Sequence, residues 1–319
     1  RNLESIISVS SGLPFNITAD NVVINGFEIT APSSSNAIRV GDASHVDVVF
    51  NNIHEIGTTY TGGNIHSIIY TVPSTNNSDI NISDNCINDI SSTNLTGYSS
   101  SAIGILQSTS TGVLTGLNIE RNIISNVTVN DGDWPTGKIA YGIQINVGGN
   151  SNYLSNTGKV VNASISNNEI SNISGFVATG IGLEGNTEDA IVTGNKVSNL
   201  TSSKSSDKAG GGYDLNGLKF ENNAFVSTVT VENNSFETTS FTNNGTSNRG
   251  YGVVNYVPGA TATLGCNWFG TAVYNEIEDN GISGKVLSKA TANIDFSPYL
   301  TDGGDGAGIG FQPTGDCSG

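Results

Sequence analysis

Methionine is missing from the 319 residues of this chain, and cysteine and histidine occur only three times each. No CxxC spacing is present, and His45, His54 and His66 all lie in the first third, so nothing resembles a zinc site. Basic residues are scarce as well: 12 Lys and Arg stand against 28 Asp and Glu, for a net charge of −16 and an isoelectric point near 4.3. That balance excludes nucleic acid and anionic lipid surfaces as partners and suits an acidic secreted exterior. Charged residues total only 13%, and Gly, Asn, Ser and Thr dominate, which disfavours long helices. No apolar run reaches membrane-spanning length, so membrane insertion is not expected, and no signal peptide is visible. The chain opens on Arg1 and is read as a processed protein, or as a piece excised from a longer one with flanking modules.

What the chain does have is one phrase repeated from end to end. Val46-x-Val48 followed by Asn51-x-Ile53 returns in the same form around Asn85, Asn122, Asn168, Asn195, Asn234 and Asn267. An earlier copy, Val22-x-Ile24 and Phe27-x-Ile29, carries Phe in place of Asn. Apolar and polar residues alternate within each copy, the period of a strand with one buried face. The Asn marks the break between two such runs, where its tolerance of left-handed backbone suits a corner. Stacked corners would let neighbouring amides bond as a ladder. Successive Asn are 34, 37, 46, 27, 39 and 33 residues apart. A constant phrase at unequal intervals predicts constant coils with variable loops, hence a solenoid. About eight coils at one strand spacing each would make a rod on the order of 40 Å long. A β-sandwich would show regular strand spacing without a fixed corner residue.

A second element lies between the Asn corners: Ala102-Ile103-Gly104-Ile105, Ala140-Tyr141-Gly142-Ile143, Thr179-Gly180-Ile181-Gly182 and Tyr251-Gly252-Val253. It reads as another strand of each coil, with Ile103, Tyr141, Thr179 and Tyr251 inward and the glycines outward. The repeat resembles that of the right-handed parallel β-helix, the pectate-lyase-like family, from about Ile17 to Phe269. That resemblance implies an all-β solenoid with an Asn ladder. It implies no single activity, because lyases, hydrolases, phage spikes, adhesins and filaments share the scaffold.

The end of the chain departs from the repeat, so 1–270 is read as the β-helix and 271–319 as a cap on the last coil. Cys266-Asn267-Trp268-Phe269-Gly270, Ser297-Pro298-Tyr299-Leu300 and Ile309-Gly310-Phe311 resemble the closing segment of β-helix domains in large secreted surface proteins of Bacteroidota-type bacteria. The likeness implies a secreted or cell-surface location. Physically, Trp268, Phe269, Phe296, Tyr299 and Phe311 would cover the open end of the stack. A Cys266–Cys317 disulfide is expected to pin the tail, leaving Cys86 as a buried free thiol.

Chemistry is thinly marked. A lyase on this fold needs a base and a counter-charge for a uronate, and a glycosidase needs two facing carboxylates. The bases Arg39, Arg121, Lys138, Lys159, Lys196, Lys219 and Arg249 form no visible cluster. Asp131, Asp133, Lys138, Glu184 and Arg249 are the catalytic candidates; Asp131, Asp133, Asp302 and Asp305 are the donors for a candidate structural Ca²⁺, no other cofactor being expected. Outward Gly142, Gly180 and Gly182 would open a strip of backbone, with Trp134, Tyr153 and Tyr213 as sugar-stacking walls. Sequons such as Asn126-Val127-Thr128 and Asn199-Leu200-Thr201 follow from a composition rich in Asn, Ser and Thr. Ice binding would need a flat Thr ladder, and Thr109-Ser110-Thr111 and Thr261-Ala262-Thr263 do not recur in register. The sequence is therefore read as a non-catalytic structural or adhesive module with polysaccharide or cell-surface glycan as partner. The alternative is a secreted polysaccharide lyase or glycoside hydrolase using the same groove. No oligomeric state is encoded.

Overall fold

A computed structural model describes residues 5–92, 99–106, 111–129, 139–148, 157–202, 215–221, 228–243, 250–257, 261–278, 286–288 and 293–319. The alternating phrases form three sheets in which each strand pairs in parallel with its counterpart one coil away. The first sheet runs from Ser5–Ser8 to Ser235–Phe236, the second from Phe15–Ile17 to Val286–Ser288, and the third from Val22–Asn25 to Asn293–Asp295. The fold is a parallel β-helix of about eight coils. Inward residues stack in register: Ile29, Ile53, Ile87, Ile124, Ile170, Val197 and Phe236 follow one another up the first sheet, all fully buried. Each coil closes its core only against its neighbours, so loops of any length leave between strands without breaking the stack.

The Asn corner is a continuous hydrogen-bonded file. Asn85 Nδ2 donates to Val48 O (2.8 Å) and to Asn122 Oδ1 (3.0 Å), and that same oxygen accepts from Asn85 N (3.1 Å). The pattern repeats from Asn51 to Asn267, and Phe27 N joins by donating to Asn51 Oδ1. These seven Asn are at most 1% exposed. The left-handed residue of the corner is not the ladder Asn, however, but the one before it: Phe50, Asp84, Arg121, Asn167, Asn233 and Cys266 have φ between 51° and 58°, and Gly194 has φ 65°. The Asn is selected for its amide, which satisfies corner backbone groups that no strand reaches.

A second left-handed file accounts for the sequons at Asn126, Asn172 and Asn199. In the first sheet Asp89, Asn126, Asn172 and Asn199 have φ of 52–56° and face solvent, each followed by an inward apolar residue and then an outward hydroxyl at Ser91, Thr128, Ser174 or Thr201. An outward αL Asn, an inward residue and an outward Ser or Thr spell Asn-x-Ser/Thr, so the sequons here are a geometric consequence of the coil.

The far end is capped. Phe236, Phe269, Phe296, Tyr274 and Tyr299 form a chain of ring contacts at 5.1–6.3 Å, and Ile277 in the short helix Tyr274–Ile277 is buried in the same cluster. Beyond residue 270 the strands Val286–Ser288 and Asn293–Asp295 still extend the second and third sheets. The tail then forms a hairpin-like excursion, bridged at Leu300–Cys317 and Asp305–Pro313, and tied by the Cys266–Cys317 disulfide. Phe311 does not lie on the open end, as expected, but well down the Asn corner, where its N–H donates to Gly194 O (2.6 Å). Gly310 packs so tightly there that a Cβ would lie 2.5 Å from Gly194 O and from the Asn167 carbonyl carbon, and Asp305 pairs with Lys196 at 3.1 Å.

Asn122→Ala should strand Asn85 N and the Ile82 carbonyl in a dry corner, at a cost of about 3 kcal/mol. Urea denaturation of the variant should show a clearly lowered midpoint, whereas Thr128→Ala, at an exposed strand position with ordinary backbone, should change it little.

Candidate functional site on the second sheet

Titratable groups converge on the outer face of the second sheet, across the strands Ile139–Val147, Val177–Gly185 and Leu215–Glu221. Register places Tyr141, Thr179 and Asn216 in one file, Gln144, Gly182 and Lys219 in the next, and Asn146, Glu184 and Glu221 in a third. Tyr141 OH donates to Glu184 Oε1 (2.6 Å), and Lys219 Nζ lies 2.6 Å from the same oxygen. Lys219 Nζ also donates to Tyr141 OH (2.9 Å) and Glu221 Oε2 (2.8 Å), and sits 5.1 Å from the Tyr141 ring centroid. Asn146 Nδ2 donates to Glu184 Oε2 (2.9 Å), with Gln144 Nε2 at 3.4 Å from it. Tyr141, Gln144, Glu184 and Lys219 are all buried, whereas the Glu221 side chain is 42% exposed. Gln144 Oε1 is buried without a hydrogen-bond partner.

The electrostatics fix the protonation states. Burial by itself would pull the Lys219 ammonium down, but attraction from Glu184 and Glu221 overrides it and holds the pKa well above the lysine range. Burial first, then the Glu184 charge, drives the Tyr141 phenol well above its usual value. At neutral pH the site is therefore an ammonium and a phenol held against carboxylates. It can hold polar groups in fixed positions, and neither Lys219 nor Tyr141 is free to accept a proton.

Further along the same face His66 Nδ1 meets Ser101 Oγ at 2.8 Å, with Gly104 leaving room for the pair. Burial lowers the His66 pKa to about 4.

The expected residues are distributed differently. Glu184 is in the cluster, and Lys219, expected among bases that form no cluster, is its centre. Tyr141 faces outward instead of inward. Gly142 and Gly180 face inward, since a Cβ on either would strike Ile170 or Val197 in the core, and only Gly104 and Gly182 open outward. The phase slips because Gly142 and Gly180 are extra residues, unpaired in the ladder between Tyr141↔Thr179 and Ile143↔Ile181. Asp131, Asp133, Trp134, Lys138, Tyr153, Tyr213 and Arg249 lie outside the described residues. Asp302 Oδ1 accepts from Gly304 N, and Asp305 from Gln312 N and Lys196, so both carboxylates shape the hairpin. Among the described residues no group of three or more His, Cys, Asp or Glu is placed to hold a metal ion. No described helix is long and apolar enough to cross a membrane.

Away from this face, a pocket of about 360 Å³ opens at the Asn corner between Phe50, Asp84, Arg121, Ile123 and Ile309 of the hairpin tip. Cys86 lines it as a half-buried free thiol facing outward, not into the core. Arg121 is bound by both Asp84 oxygens and by Glu120.

No protein-family profile, curated protein or solved structure matches this chain.

Lys219→Met should leave Glu184 buried without its cation and destabilise the fold by roughly 3–5 kcal/mol, with Glu184→Gln added to it restoring much of the loss. Chemical denaturation of the single and double variants measures both. For His66 the unfolded chain takes up a proton below about pH 6.5 and the folded one only near 4, so stability should fall across that window by on the order of 3 kcal/mol. His66→Gln should show a shallower loss between pH 7 and 4.5 in the same measurement.

Proposed function

We propose that this chain is a secreted or cell-surface β-helix module, structural or adhesive in role and non-catalytic, with carbohydrate as its ligand class. The observation that carries the reading is Lys219: the one lysine of the buried cluster is held as an ammonium by Glu184, Glu221 and Tyr141. A lyase that takes the sugar-ring proton with a lysine needs that amine neutral at working pH, and this arrangement opposes it. An unbroken amide ladder and a tail fastened by a disulfide suit a stiff module in an oxidising environment. The resemblance of the Asn phrase and of the closing segment to exported β-helix domains supports the same location.

The convergence of Tyr141, Glu184 and Lys219 on one face favours a second reading, a polysaccharide lyase or glycoside hydrolase. The two are separated by assaying unsaturated products and new reducing ends over acidic and neutral polysaccharides. No turnover is expected. Product formation that disappears in Glu184→Gln would establish the enzyme instead.

A further inference from the structure

The outer face of the first sheet and the pocket beside it lie apart from the second-sheet cluster. The geometry points to a neutral, linear glycan lying along the rod axis on this face, with one sugar residue in the corner pocket. This rests on carbohydrate being the ligand class proposed above, and it adds the site and the charge of the ligand.

Three observations converge. In the coils of Ile123–Val129, Glu169–Gly175 and Lys196–Ser202, the outward residues beyond the first of each strand form three parallel files without a charge. Ser125, Ser171 and Ser198 make one, the left-handed Asn126, Asn172 and Asn199 the second, and the hydroxyls paired in register from Thr128 to Thr201 the third. On a molecule of net charge −16 this is a neutral field of groups that both donate and accept hydrogen bonds. Successive members of each file lie one strand spacing apart, about 4.8 Å. An extended glycan advances by nearly that distance per sugar, so successive residues would meet equivalent groups.

The pocket supplies what the files lack. Ile123 belongs to the outward file next to Ser125, so the pocket opens directly onto the margin of the face. Phe50 is 44% exposed and Ile123 38%, and with Ile309 they give apolar walls for the C–H face of a sugar ring. The tail hairpin continues from Ile309 along the same margin, where Asp305 holds Lys196.

Charge selects the ligand. Arg121 is taken by Asp84 and Glu120, and Lys196 by Asp305 and Glu237, so neither cation is available to a uronate carboxylate. Glu55 and Asp89 continue the middle file at the lower coils and would repel one.

Affinity electrophoresis tests this with the whole chain, in gels carrying xyloglucan, mixed-linkage glucan, galactomannan or xylan against gels carrying polygalacturonate or alginate. At least one neutral polymer should retard the protein, and the acidic ones should not. Calorimetry with that polymer should give at least tenfold weaker binding for Phe50→Ala and for Ser171→Glu/Ser198→Glu, with circular dichroism and melting unchanged. Thr128→Lys, at an exposed position, repeats the test if the double variant fails to fold. Arg39→Gln, outward on the second sheet, should bind as the parent does. Neutral-glycan binding that survives all the first-sheet variants overturns the site while leaving the carbohydrate reading intact. Retardation by acidic polymers alone overturns the ligand. No retardation by any polymer overturns the inference together with the carbohydrate part of the reading, and leaves the structural role to the turnover assay.

Discussion

The side-chain amide of one asparagine per coil is the interaction on which the rest of this molecule depends. A β-helix must turn sharply between its third and first sheets, and at the turn the backbone leaves both ladders. Each amide bonds a carbonyl of the preceding coil, while its oxygen accepts two N–H groups from that coil. An apolar residue there would leave those groups dry and unpaired, at a cost comparable to a large part of a domain's net stability. The ladder also fixes register, because an Asn displaced by one residue would miss its neighbour and turn the following strand inside out. All three sheets inherit their alignment from this file.

The ladder was legible in the sequence because it recurs with a fixed chemical identity and a fixed apolar frame. Its left-handed partner was not. Phe50, Asp84, Arg121, Asn167, Gly194, Asn233 and Cys266 share a backbone conformation and nothing else, so no residue pattern announces it. Non-glycine residues pay for that conformation, and the amide bonding around them holds it in place.

The polar cluster was hidden for a different reason. Tyr141, Glu184 and Lys219 are separated by 43 and 35 residues, and the loops between them are unequal. The signal lay in Asn216-Gly217-Leu218-Lys219, a further copy of the Gly-bearing strand. Aligned on Gly142, Gly180 and Gly217, Lys219 stands two residues past the glycine, and Glu184 and Glu221 four past theirs. The direction of those glycines was beyond a simple alternation rule. Two consecutive inward residues, Gly142 and Ile143, break the period of two, and every outward assignment made from the far side of the break changes sign.

The same break bears on where chemistry can sit in this fold. On the second sheet the extra inward residue bends each strand and brings long side chains of three coils onto a common point, where burial forces them to satisfy one another. Their charges are spent on mutual pairing, which gives a rigid face with little left for a ligand. The first sheet is bent too, at its left-handed Asn, but that residue projects into water and the outward side chains on either side are short. The amides there bond along their file, Asn126 Nδ2 to Asp89 and Asn172 Nδ2 to Asn126, but the hydroxyl files beside them in these three coils carry no charge to neutralise and face water. A solenoid of this kind concentrates side-chain charge where its strands fold it inward, and leaves its hydrogen-bonding surface where the outward side chains are short and uncharged.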